Sequence, residues 1–177
     1  MKRTLVITVF FIVFLFIYFL QSNFFTWYNI AGIKPNLFII FTLFIGLFIG
    51  KTYGVSLGIA FGILLDLFIG KRIGLNAIIL GVCGLLGGVL DKSFSKESRM
   101  NFMAMSILAT IICELISYIL QIVILRADVA LMQFLKIIIV EAIYNAILVI
   151  ILYPLIQKIG NKTEEIFTER KSIMRYY

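Results

Sequence analysis

Apolar runs long enough to approach or cross a lipid bilayer recur along the chain, at residues 4–20, 36–50, 54–70, 74–90, 102–125 and 134–156. A bilayer's hydrocarbon core is about 30 Å thick and takes about 20 helical residues to cross. Within it, each backbone N–H and C=O must be satisfied inside the protein, which leaves helices or a closed barrel. Runs of this length read as helices, so the chain is expected to be all-α: a polytopic membrane bundle of about six transmembrane helices. Composition agrees, with 62% of the 177 residues hydrophobic, 14% charged and a mean hydropathy of +1.10. Soluble domains carry roughly a quarter charged residues. The polar gaps leave no room for a separate extramembrane domain, so residues 1–177 read as one integral membrane domain. The second run is short, and runs two to four are separated only by Lys51-Thr52-Tyr53 and Lys71-Arg72-Ile73. These three are expected to form tight hairpins.

The start of the chain, Met1-Lys2-Arg3 before an apolar run, has the charge pattern of a secretory signal. The run exceeds the usual 7–15 residues and no small-residue cleavage site follows, so a retained first span is expected. Lysine and arginine set the orientation. With the N-terminus inside, cytoplasmic segments hold Lys2, Arg3, Lys51, Lys92, Lys96, Arg99, Lys158, Lys162, Arg170, Lys171 and Arg175. Outer segments hold Lys34, Lys71, Arg72, Arg126 and Lys136. Eleven against five places both termini in the cytoplasm. The first outer loop, with Phe24, Phe25, Trp27 and Tyr28, should lie at headgroup level, and the net charge of +7 suits anionic inner-leaflet lipid rather than nucleic acid. The tail, 157–177, repeats isoleucine at 159, 166 and 173; it reads either as a surface-lying helix or as a frayed solvated segment.

Gly46, Gly50, Gly54, Gly58 and Gly62 fall four residues apart, and Gly70, Gly74, Gly81, Gly84, Gly87 and Gly88 extend the glycine-rich stretch. In lipid, helices associate by close packing and polar contact, and small residues four apart let backbones approach. Gly54, Gly58 and Gly62 would form such a groove, either for a helix of the same subunit or for one from a partner.

Ionisable groups within spans are costly and therefore informative. Asp66 near the outer end of the third span suits an ion pair with Lys71-Arg72 or a helix-end hydrogen bond. Glu114, Ser117, Tyr118 and Gln121 share one face of the fifth helix, and Glu141, Tyr144 and Asn145 one face of the sixth. The two stripes are expected to face each other or a common polar interior. Internal hydrogen bonding, a small-ligand pocket and a partner-binding face are the three readings. Carboxylates on facing helices also suit a proton or ion relay, but no pair of broken helices in corresponding halves accompanies them. Pro154 marks a single expected kink.

Two near-motifs fail on context. Gly54-Val55-Ser56-Leu57-Gly58 has the form of a nucleophile elbow, but that motif needs a strand-to-helix turn and a histidine, and the chain has no histidine. Gly46 to Thr52 has the outline of a P-loop with one residue too few between its glycines. Cys83 and Cys113 lie inside apolar runs and read as small packing residues. No catalytic residue, metal or cofactor is expected.

Certain segments carry a resemblance to a known family. They are Leu20-Gln21-Ser22, Lys34-Pro35-Asn36-Leu37, the glycines from 46 to 62, Leu64-Leu65-Asp66-Leu67, Gly70 and Gly74-Leu75-Asn76-Ala77. Together they resemble the bacterial rod shape-determining membrane protein family MreD, specifically over about residues 20–90. Asn36 stands where that family commonly has aspartate; a hydrogen-bonding role survives the change and a role needing negative charge does not. The resemblance implies a non-enzymatic scaffold of the cell-elongation complex in the cytoplasmic membrane. It implies binding to MreC, a single-span protein, alongside MreB, RodA and a class B penicillin-binding protein in peptidoglycan synthesis. Gly54, Gly58 and Gly62 would then serve close approach, with Asp66 and Asn76 organising the outer ends. The family is also similar in fold to the substrate-binding S-components of energy-coupling-factor vitamin transporters, which supplies the rival function. A pocket for that role would draw on Glu114, Gln121, Glu141 and Asn145.

Overall fold

The computed structural model describes residues 2–69, 74–91, 98–125 and 130–173. Among the described residues seven helices run in order: α1 Lys2–Ser22, α2 Phe24–Trp27, α3 Leu37–Ile49, α4 Lys51–Ile69, α5 Leu75–Leu90, α6 Arg99–Leu125 and α7 Leu131–Ile173. The all-α membrane bundle read from the sequence is what the chain forms, and among the described residues strand pairing is limited to an isolated bridge between Ile30 and Ile33. Four helical stretches, Lys2–Trp27, Lys51–Ile69, Arg99–Ile124 and Leu131–Phe167, are long and apolar enough to cross a membrane, whereas α3 and α5 are shorter. At 1.5 Å per residue, α3 is about 20 Å long and α5 about 24 Å, against a hydrocarbon core of about 30 Å.

The short α3 is the axis of the bundle. Every residue from Leu37 to Phe48 is buried, as expected of a helix that is apolar all round. Phe10 and Phe14 of α1 pack on Phe41, Phe44 and Phe38, and Phe61 of α4 on Phe41. Phe102 of α6 meets Phe48. Because its ends lie against protein rather than lipid, α3 need not span the whole apolar layer. The outward faces of the other helices are apolar, as Leu5, Phe16, Phe19, Ile119, Ile139 and Ile151 illustrate; these are the surfaces that suit lipid.

The glycine rows meet inside the subunit. A Cβ on Gly58 would press on the Leu80 carbonyl of α5, 2.8 Å from its carbon, and one on Gly62 would lie 2.5 Å from the Ala77 nitrogen. Gly54 faces Gly84 of α5 and would put a Cβ 2.8 Å from the Gly46 Cα of α3. From the other side, Gly87 and Gly88 meet the backbones of α3 at Leu43 and of α4 at Lys51. Gly50 differs: it sits between α3 and α4 at φ +107° with open space around it, so backbone conformation rather than crowding demands glycine there.

Both described ends of the chain lie at one end of the bundle. The Arg3 guanidinium donates to the Phe167 carbonyl at 3.0 Å and lies over the Phe167 ring. As far as Phe167 the tail is helical and packs on the bundle. α7 continues through Pro154, and Gly160, Thr163 and Phe167 are buried on one face. Phe167 packs edge-on against Tyr53 of α4, and Gly160 against Phe48 of α3. Of the isoleucine heptad, Ile166 packs against the core whereas Ile159 is 44% exposed.

Candidate functional site

At the opposite end, the start of α3 lies among the polar groups of four helices. Asn36 caps α3, its Oδ1 accepting from the Ile39 N–H at 3.4 Å. Its own N–H donates to Asn145 Oδ1 of α7 at 2.8 Å, and Asn145 Nδ2 donates to Thr110 Oγ1 of α6 at 3.0 Å. Asn145 and Thr110 are fully buried, so this relay joins α3, α6 and α7 where water does not compete. From α1, Gln21 grips the loop before α3 at both ends of its amide. Its Nε2 donates to the Pro35 carbonyl at 2.8 Å, and its Oε1 accepts from the Leu37 N–H at 3.2 Å.

The two polar stripes do converge. Glu114 of α6 and Glu141 of α7 lie within hydrogen-bonding reach of each other, and Asn36 reaches Glu141. Ionised carboxylates offer only acceptors, so a bond between two carboxyl groups needs a proton on one of them. Glu141 is buried, and its Oε1 is without a hydrogen-bond partner among the described residues. The rest of the stripes disperses. Gln121 donates to Ser117 along its own helix at 3.0 Å, Tyr118 stacks on Phe134, and the Tyr144 hydroxyl donates to the Tyr28 carbonyl at 2.6 Å.

Asp66 stands apart from the carboxyl pair and organises the start of α5. Its Oδ2 accepts from the Gly74 N–H at 2.7 Å, and its Oδ1 from the Asn76 N–H at 3.2 Å and the Asn76 Nδ2 at 2.7 Å. Of the two roles open to this aspartate, the structure displays the helix-end hydrogen bond; Lys71 and Arg72 lie outside the described residues, as does Gly70. Cys83 and Cys113 are buried free thiols directed at the Ile39 and Ile79 carbonyls.

These groups surround a cavity of about 330 Å³. Tyr18, Gln21 and Ser22 of α1, Lys34 and Asn36 before α3, Asn76 of α5, and Glu114 and Ser117 of α6 supply its polar lining among the described residues. Gln121, Glu141 and Asn145 stand outside that lining. Thr110, Gln21 and Lys34 were not legible as site residues. Threonine within a helix usually bonds its own preceding turn, as Thr110 also does to Ser106, and the other two sit at span ends where polar residues are ordinary.

Replacing Asn145 with leucine removes one partner each from Asn36 and Thr110. Interhelical hydrogen bonds in membranes average about 0.6 kcal/mol, but a stranded backbone N–H adds to that. A loss of about 1–2 kcal/mol is expected, read as a lower melting temperature in detergent, with a smaller loss for Thr110→Val.

Comparison with known protein families matches residues 1–163 to a family model described as rod shape-determining protein MreD. Neither the curated proteins nor the solved structures contain a match.

Proposed function

Since the chain belongs to the rod shape-determining MreD family, we propose that it is a non-enzymatic scaffold of the bacterial cell-elongation complex, holding an MreC-like single-span protein within the cytoplasmic membrane. The observation that carries this reading is the family match across residues 1–163, nearly the whole chain. Family membership implies a role in rod-shape determination, and the rest is our reading. MreB, RodA and a class B penicillin-binding protein would be its further associates in peptidoglycan synthesis.

The build of the chain supports a binding role through helix faces. Its glycine seams are filled from within by α3, α4 and α5, so a partner helix would meet the outer apolar faces instead. On α1, only Val6, Phe10 and Phe14 are buried, while Leu5, Ile12, Phe16 and Phe19 are each at least 59% exposed. That face is our choice for the partner's single span. The excess of lysine and arginine at one end supports termini in the cytoplasm.

Gentle detergent extraction from native membranes, followed by identification of co-purifying proteins, tests the reading. A single-span protein with an extracytoplasmic domain is the expected companion. Recovery of a pair of ATPases instead would favour the S-component of an energy-coupling-factor transporter.

A further inference from the structure

The cavity beside the carboxyl pair is lined by polar groups that organise the helix starts and, in addition, by Glu114 and Lys34, which those helix-end contacts do not use. Its volume, about 330 Å³, falls at the small end of ligand pockets, which run from about 300 to 1,000 Å³. Among the described residues its lining includes an acidic and a basic side chain, Glu114 and Lys34. Glu114 belongs to the wall, backed by Glu141, whose Oε1 is buried with no partner among the described residues. Lys34 is held by donation from its Nζ to Thr26 Oγ1 at 2.9 Å, which leaves ammonium protons for another acceptor. Between them lie the neutral polar groups of Gln21, Asn36, Asn76 and Ser117, which are hydrogen-bonded within the fold and so hold the wall in shape.

Asn36 and Phe38 at the start of α3, and Asn76, Ile79 and Leu80 of α5, contribute to its wall. A carboxyl group in a low-dielectric wall is costly unless a cation or a donor meets it. An ammonium group would meet that need at Glu114, and an acidic group on the same ligand would complement Lys34.

We propose that this cavity binds a small zwitterionic amine, its ammonium at Glu114 and its acidic group at Lys34. A free solute and the headgroup of phosphatidylethanolamine share this chemistry. The proposal stands independently of any partner protein, because the cavity is built from this chain alone.

The test uses the full chain purified in detergent and in nanodiscs. Phosphoethanolamine is titrated calorimetrically, with glycerol phosphate as the probe lacking an amine. In parallel, retention of phosphatidylethanolamine over phosphatidylglycerol is measured by native mass spectrometry. Saturable phosphoethanolamine binding, weakened at least tenfold by Glu114→Gln and by Lys34→Met and absent for glycerol phosphate, supports the site with a free ligand. Selective retention of phosphatidylethanolamine, lost in the same variants, supports it with a lipid. If Glu114→Gln fails to fold, Ser117→Phe, which adds bulk to the cavity wall, must abolish binding in its place. Binding of neither amine, equal binding by the variants, or equal affinity for glycerol phosphate would overturn the proposal.

Discussion

Replacing Gly58 with leucine is expected to abolish the folded protein. The α4 and α5 backbones approach so closely there that even a Cβ would lie 2.8 Å from the Leu80 carbonyl carbon and press on its oxygen. These are main-chain atoms of α5, a helix that also packs closely on α3 through Gly87, so they cannot rotate away as a side chain would. Overpacking a core by a methylene or two costs typically about 1–3 kcal/mol. A whole isobutyl group against immobile backbone should exceed the 4–5 kcal/mol that marks exceptional mutations. Loss of the monodisperse peak in fluorescence-detected size-exclusion chromatography reads this out. Gly81→Ala is the contrasting substitution. Its added carbon would meet only the Ile59 side chain, at 2.8 Å to Cγ1, which can change rotamer, so that variant should remain folded.

The second large effect is expected at Asp66. Its carboxylate is 2% exposed and accepts three hydrogen bonds from the first residues of α5. Removing it strands the Gly74 and Asn76 N–H groups at a helix start, where no carbonyl of the preceding turn can take them. Bonds to a charged acceptor contribute about 1.5–3 kcal/mol each and do not add simply. A loss on the order of 3 kcal/mol is expected for Asp66→Ala, measured as a fall in melting temperature of the detergent-solubilised protein. Asp66→Asn should be nearly as damaging, because its amide nitrogen would face donors. Asn76→Ala removes only the side-chain bond and should cost clearly less.

The contrast between these sites and the cavity shows what the chain discloses unaided. Long apolar runs fix helices because lipid offers no alternative partner for the backbone, so the runs at 4–20, 36–50, 54–70, 74–90 and 102–125 lie within a few residues of the helices α1, α3, α4, α5 and α6. Glycines four apart disclose close approach, yet not against what. That Gly54 meets Gly84 and Gly46, and not a partner's helix, depends on three-dimensional packing. The stripes at Glu114 and Glu141 disclose a shared interior because helical periodicity is strict. They do not disclose that Gln121 turns back to Ser117 along its own helix, or that Asn36, some hundred residues earlier, is tied to Asn145. Such long-range bonds leave no local pattern. The extent of α7 escaped for a related reason: its charged surface looks solvated, and the seam through Gly160, Thr163 and Phe167 is a spaced trio with only one aromatic.

The most direct test of the central claim is cell shape under depletion. Where the chromosomal copy is placed under a titratable promoter in the organism that carries it, depletion should widen and then round the cells. Re-expression of the wild-type chain should restore rods, and Gly58→Leu should not. Depleted cells that keep their width and rod form through several generations would contradict the account.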